Sequence, residues 1–230
     1  MAHPDLEILA RSELFRGLSI EGLREVHAVG ALARFAAGET LLQQGDAAAT
    51  LYIVIVGRLR ATQTTIDGQQ VTMRYLGPGD LAGYAAITGG GHHPGTVTAI
   101  ADSRLFSWTG AAMRGLMERH PAIAINAVTI LGARYREMQT RLRELSTEKV
   151  DRRIAHAILR LAQQAGRRSP RGIEIAFPVS RQDVAEIAGT TLHTVSRILS
   201  GWEERGIVDC GRRRIVICQP DLLQTIAEET

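Results

Sequence analysis

The hydrophobic pattern changes period twice along the chain. Residues 5–29 carry Leu6, Leu9, Leu14 and Leu18 at close intervals and predict short helices. From about residue 30 to residue 110 the pattern becomes brief apolar runs, at residues 51–56, 71–76 and 96–100, punctuated by Gly30, Gly38, Gly45, Gly57, Gly68, Gly77, Gly79, Gly83 and the triple glycine 89–91. Short β-rich runs ended by turn residues predict a compact antiparallel barrel or roll.

After His120-Pro121 the period becomes helical, and a proline is at home in a helix's first turn. Val128, Leu131, Tyr135, Met138, Leu142 and Leu145 recur at alternating spacings of three and four. That is a heptad seam, and its flanks hold Arg134, Arg136, Glu137, Arg141 and Arg143. Burying so many charges inside one domain would be costly, so the seam predicts a dimer coiled coil. A second apolar edge, Ile123, Ala127 and Ile130, is placed to pack on the roll. The seam stops near 146–149, where Lys149 and Arg152 fall on its next positions, and a new helix starts through Val150, Ile154, Ile158 and Leu161. Residues 166–172 read as a polar loop leading into a strand at 173–177. The expected organisation is a sensory roll over 1–120, a dimerisation helix over 121–146 and a second domain over 147–230.

The sharpest local signal runs from Ser180 to Arg197. Ser180 with Asp183 three residues on forms a capping-box start. Val184, Ile187 and Ala188 give an inward face, Gly189 supplies a left-handed stop, and Thr190 or Thr191 can cap the next helix. In that second helix Leu192, Val195, Leu199 and Trp202 are expected to point inward, while His193, Ser196, Arg197 and Ser200 point out. A recognition helix of a helix-turn-helix needs this division, with polar and bidentate groups near its N-terminal half. His193, Ser196 and Arg197 are the candidate base readers, and Arg197 has the fork to grip a guanine edge. Ser180, Gln182, Thr191, Thr194 and Ser200 are candidates for the DNA backbone. Residues 207–217 read as a two-stranded wing with Arg212, Arg213 and Arg214 at its tip, placed for phosphate.

Composition adjusts this picture only slightly. The 230 residues carry 27 basic and 24 acidic side chains, a net charge of +3, which permits a nucleic-acid partner without requiring one. Of the basic residues 26 are arginine and only Lys149 is lysine; codon bias accounts for most of them. The excess sits where DNA would lie, since residues 148–220 hold 13 basic and 8 acidic groups. No run of 18 apolar residues exists and the N-terminus has no basic leader, so a cytoplasmic protein with no membrane partner is expected. Cys210 and Cys218 are too few for a cysteine-ligated iron–sulfur cluster. Cys210, in the wing, is a candidate redox site. No metal-ligand spacing, nucleophile elbow or phosphate loop is present, so no enzyme is expected.

The order of parts, with the turns Gly38-Glu39, Gln44-Gly45-Asp46 and Gly77-Pro78-Gly79-Asp80 and the helix Thr194-Val195-Ser196-Arg197, resembles the Crp/Fnr family of bacterial transcription regulators. The resemblance covers nearly the whole chain. It implies an α+β fold: an N-terminal antiparallel β-roll of the cyclic-nucleotide-binding type, a long dimerisation helix and a C-terminal winged helix-turn-helix. It also implies a homodimeric activator on double-stranded promoter DNA, binding a palindromic TTG-N-CAA-type site. RNA polymerase would touch the turns at 167–172 and 67–69.

Departures from the family's pattern narrow the signal. Cyclic-AMP-binding members place a glutamate after Gly-Asp-x-x-Gly and an Arg-Ser pair later. Here Tyr84 follows Gly79-Asp80-Leu81-Ala82-Gly83, and Pro94-Gly95 stands near the Arg-Ser position. Cyclic AMP is therefore disfavoured. The cysteine set of the oxygen sensors is absent. What is left is similar to the nitric-oxide-responsive NnrR/Dnr branch or the FixK-like branch, governing low-oxygen and denitrification genes. In the former, haem is the candidate cofactor, with His3, His27, His92, His93, His120 and His156 as candidate ligands. Tyr84, His92 and His93 mark the candidate effector pocket, and no cofactor is certain. The competing readings are a regulator responding to a cyclic nucleotide or other small ligand, and a nucleotide-binding module that acts on a protein partner.

Overall fold

The computed structural model describes residues 4–89 and 91–228; His3 and Gly90 lie outside them. The chain forms two compact units, one built from residues before 70 together with 73–137, the other from 70–72 together with 138 onward.

Along the chain, α1 (Pro4–Arg11), a 3-10 turn (Glu13–Phe15) and α2 (Ile20–Val29) precede β1 (Ala31–Phe35), β2 (Thr40–Leu42), β3 (Thr50–Val56), β4 (Leu59–Thr64), β5 (Gln70–Leu76) and β6 (Leu81–Ala82). The short α3 (Ala85–Thr88), β7 (Thr96–Ala99), β8 (Ser103–Thr109), α4 (Gly110–Arg119) and α5 (Pro121–Thr147) follow; the start of β5 and the end of α5, from 138, belong to the second unit. The strands make two four-stranded antiparallel sheets in the orders β1-β8-β3-β6 and β2-β7-β4-β5.

Strand β3 explains the architecture. Its Leu51, Ile53 and Ile55 meet the helices in one core with Leu9, Leu14, Phe15, Met113 and Leu116. Val54, on the opposite face, joins Leu42, Leu59, Val97 and Leu105 in a second core between the sheets. A strand buried on both faces has no reason to alternate, which is why 51–56 reads as an unbroken apolar run. Trp108 of β8 anchors the helical side: its indole N–H donates to the Val26 carbonyl at 2.8 Å and its ring meets Phe15 edge-on at 5.5 Å. Ile123, Ala127 and Ile130 of α5 are buried in this core, the packing expected of the second apolar edge.

The second unit holds α6 (Val150–Ala165), β9 (Gly166–Ser169), β10 (Gly172–Ile175), α7 (Arg181–Ala188), α8 (Leu192–Glu204), β11 (Val208–Gly211), β12 (Arg214–Ile217) and α9 (Pro220–Glu228). Its sheet runs β11-β12-β10-β9. Two expectations are corrected here. Residues 166–172 are not a loop but a hairpin, with Arg167 opposite Glu174 and joined to it at 3.1 Å. The strand expected over 173–177 ends at Ile175, one residue beyond which the Ala176 N–H still donates to the Ala165 carbonyl at 2.8 Å. The arginine-rich composition of 166–169 hid a strand whose side chains are mostly exposed.

Gly57 joins β3 to β4 at a φ of +106°, and a Cβ there would lie 2.2 Å from the Ser103 hydroxyl and 2.6 Å from its Cα. Gly57→Ala is expected to lower stability by about 2 kcal/mol or more, combining left-handed strain with a backbone clash. Urea unfolding followed by far-ultraviolet circular dichroism measures it; an unchanged midpoint would contradict the assigned geometry.

Candidate nucleic-acid interface

The helix-turn-helix is built from local chemistry. Ser180 and Asp183 complete a reciprocal capping box: the Ser180 hydroxyl accepts the Asp183 N–H at 3.1 Å, and the Asp183 carboxylate accepts the Ser180 N–H at 2.7 Å. Gly189, at φ +61°, ends α7 in the left-handed region. Thr191 then caps α8 by accepting the Thr194 N–H at 3.2 Å. Val195, Leu199 and Trp202 are buried. Leu192 is not: it is 47% exposed, so the inward face begins one turn later than the spacing suggested.

His193 and Arg197 stand one turn apart on the outer face, both exposed, with Ser196 half-buried beside them. Among the described residues neither His193 nor Arg197 makes a hydrogen bond or ion pair. Other polar groups named from sequence have intramolecular partners. The Ser180 and Thr191 hydroxyls are caps, and the Thr194 hydroxyl lies 3.0 Å from that of Thr191. The Gln182 amide donates to Glu186 at 3.3 Å. Ser200 accepts from Arg181 at 3.5 Å.

Arg181 is a residue the sequence reading missed. From the first turn of α7 its guanidinium reaches α8, donating to the Ser196 carbonyl at 3.4 Å and to Glu203 at 2.8 Å. The other carboxylate oxygen of Glu203 accepts the Cys210 N–H at 3.1 Å. One ion pair thus ties both helices of the motif to the wing. An Arg and a Glu 22 positions apart carry no periodic signal that could have found it.

At the wing, Arg212 and Arg213 occupy the exposed turn, Arg213 at φ +56°. Arg214 lies in β12 and donates to Asp209 at 2.7 Å; Arg171 donates to the same oxygen at 2.9 Å. These arginines, Arg171 foremost, hold the Asp209 carboxyl below its ordinary value. The three-arginine tip read from sequence is therefore a two-arginine tip with a paired arginine behind it.

On α5 the seam positions Val128, Tyr135, Met138, Leu142 and Leu145 are each more than half exposed, and Leu131 is half-buried. In the roll, Tyr84 is exposed at the head of α3 and His92 is exposed beyond it. His93 is buried; its N–H donates to the Asp46 carbonyl at 2.9 Å, and burial pushes its imidazole below the usual histidine range despite the nearby Asp46. His120 lies 2.7 Å from Glu25, His156 lies 3.5 Å from Glu148, and His27 packs on the Phe106 ring at 4.7 Å. Among the described residues no cluster of three or more His, Cys, Asp or Glu side chains is placed to hold a metal ion. No described helix is long and apolar enough to cross a membrane.

The Cys210 thiol is pushed up to about 12, first by burial and then by the Glu203 carboxylate. Only a thiolate is a good nucleophile, so this shift weighs against the redox role read from sequence. In native protein near neutral pH, Cys210 is expected to resist iodoacetamide and to label only on unfolding. Peptide mass spectrometry reads this directly, and labelling at the rate of a free thiol would contradict it.

Residues 32–120 match the family model described as cyclic nucleotide-binding domain, and residues 152–226 match that described as Crp-like helix-turn-helix domain. The chain is 31% identical over 216 residues to the cyclic AMP receptor protein of Thermus thermophilus, covering 94% of this chain and 97% of that one. It is 28% identical over 196 residues to the fumarate and nitrate reduction regulatory protein of Escherichia coli, covering 84% and 77%. Among solved structures, the catabolite activator protein of Thermus thermophilus aligns with a TM-score of 0.56 at 31% identity, over 94% of this chain and 99% of that one. FixK2 of Bradyrhizobium japonicum aligns with a TM-score of 0.75 at 23% identity, over 86% and 97%, a likeness of fold. Two domains of the matching kinds in the matching order, and a relative of this identity spanning both, place the chain in the Crp/Fnr family of DNA-binding transcription regulators.

Proposed function

We propose that the protein is a cytoplasmic homodimeric activator that reads an inverted repeat with TTG-like ends and recruits RNA polymerase at low-oxygen or nitric-oxide-controlled promoters. The observation that carries the DNA reading is the outer face of α8, where the side chains of His193 and Arg197 are exposed and have no hydrogen-bond or ion-pair partner among the described residues. An arginine held ready on a recognition helix suits guanine O6 and N7, and Ser196 beside it suits a neighbouring base or phosphate. Arg212 and Arg213 supply phosphate contacts from the wing turn, while Ser180, Gln182, Thr191, Thr194, Ser200 and Arg214 hold the frame and reach the backbone only alongside their internal bonds. The exposed seam Val128, Leu131, Tyr135, Met138, Leu142 and Leu145 is the surface through which two copies pair.

Arg197→Ala is expected to weaken binding to a TTG-N-CAA-type site by about 1–3 kcal/mol and to flatten preference at the guanine, with little change in salt slope. Arg212→Ala is expected to weaken all duplexes about equally and to reduce the salt slope by roughly one. Gel shifts over a base-substituted and salt-varied series separate the two. Unchanged base preference in the Arg197 variant would remove the assignment.

For the signal, the segment 92–95 supports a ligand other than cyclic AMP. It offers no permanent cation for a phosphodiester, and a Cβ at Gly95 would lie 2.6 Å from the Thr62 carbonyl, so no side chain fits there. Haem is the proposed cofactor: exposed His92 would hold it, and the group would supply a binding site for nitric oxide. A cyclic-AMP response is the second reading, favoured by the Thermus thermophilus relative whose name records that ligand. Protein reconstituted with haemin is expected to show a Soret band that moves with nitric oxide and is lost in His92→Ala, and cyclic AMP is expected to leave the melting temperature unchanged. A featureless spectrum with a cyclic-AMP-dependent melting shift would reverse the choice.

A further inference from the structure

The last turn of α5 and the turn of the helix-turn-helix touch in two independent ways. The first is a guanidinium. Arg153, in the first turn of α6, donates through Nη1 to the Glu148 carbonyl at 3.1 Å, just past the end of α5. Through Nε it donates to the Ala188 carbonyl at 3.1 Å, and through Nη2 to the Gly189 carbonyl at 3.3 Å. Those two carbonyls close α7, where a helix leaves acceptors unsatisfied and where a cation complements the helix dipole. The second contact is apolar. A Cβ on Gly189 would lie 2.7 Å from Cδ2 of Leu145, so this leucine rests directly on the turn.

The joint around these contacts is stiff. Only Glu148 and Lys149 separate α5 from α6. Arg160 of α6 holds both carboxylate oxygens of buried Glu144 at 2.8 Å, and Arg152 donates to the Ala227 carbonyl of α9 at 3.1 Å. Gly189 in turn stands two residues before Thr191, the cap from which α8 begins. The direction of α8 is therefore referred to the end of α5 through very few covalent bonds and a short set of well-directed contacts.

We propose that Arg153, with Leu145, is a positioning residue that clasps the turn at Gly189 to the end of the long helix and so fixes the separation and phase of the two recognition helices. This rests on the reading that two copies pair through α5 and bind an inverted repeat. Arg153 touches no DNA in this account. It decides which spacing between half-sites the dimer accepts.

The test uses the full chain and inverted repeats whose spacer is the preferred length, one base pair shorter or one longer. Each step moves the second half-site by about 3.4 Å and turns it by roughly 34–36°. The unaltered protein is expected to lose roughly tenfold or more in affinity on either altered spacer. Arg153→Gln is expected to keep binding the preferred site while its discrimination against the altered spacers falls to about threefold or less. A uniform loss on all three duplexes, with discrimination intact, would mean that Arg153 only stabilises the fold and would overturn the proposal. If the unaltered protein shows no spacer preference, the paired-helix reading falls and takes the clasp with it. Thermal melting establishes that the variant folds. Should Arg153→Gln unfold, Arg153→Lys keeps the charge and one donor and is expected to relax discrimination part of the way.

Discussion

A helix with apolar residues on two edges has to be covered twice, and α5 is such a helix. One edge, Ile123, Ala127 and Ile130, is satisfied within the chain by the core beneath β3 and β8. The other presents Val128, Tyr135, Met138, Leu142 and Leu145 to solvent over most of its length. Burying a leucine-sized side chain contributes about 1.5–3 kcal/mol, and association costs about 4–15 kcal/mol in lost freedom. Five such side chains from each of two helices are of the size needed to meet that cost. The charged flanks keep the same surface from packing inward, and a second copy of the helix, as proposed above, would satisfy both constraints.

The DNA-binding unit solves the opposite problem, leaving chosen polar groups uncovered while holding everything around them. Ser180, Asp183, Gly189 and Thr191 settle the helix ends, and the Arg181–Glu203 pair locks α7, α8 and the wing strand to one another. Arg171 and Arg214 share the single carboxylate of Asp209. On the recognition face, the side chains of His193 and Arg197 have no partner among the described residues. A composition with 26 arginines is therefore far less basic in effect than in count, because many of them act as internal staples; Arg152, Arg153 and Arg160 do the same at the α5–α6 joint.

Legibility in the sequence followed unbroken apolar runs more than burial: β8, whose Leu105, Phe106 and Trp108 are buried, was not read because Arg104 and Ser107 interrupt it. β3, β5 and β7, with apolar runs, were read from pattern, as were α5, the break before α6 and the α7–α8 motif with its caps. β1 and β9 were not, because edge strands with mostly exposed side chains carry little hydrophobic signal. β4 was missed for a related reason, since Arg60, Gln63 and Thr64 interrupt its apolar positions. At the interface, residues close in sequence were foreseen: the capping box spans three positions and the outer face of α8 five. Contacts joining distant positions were invisible, as with Arg181 and Glu203 or Arg153 and Gly189, since a single arginine has no period. Leu192 failed for a simpler reason. A helix's first turn can overhang the core that its second turn enters.

One consequence joins the two halves of the molecule. α5 is an unbroken helix of 27 residues, about 40 Å long, whose first part belongs to one compact unit and whose last part belongs to the other. The exposed seam lies along this helix, and its last residue, Leu145, rests on Gly189. The turn at Gly189 stands two residues before Thr191, the cap from which α8 begins, so the same stretch of backbone that ends the seam also bears on the start of the recognition helix.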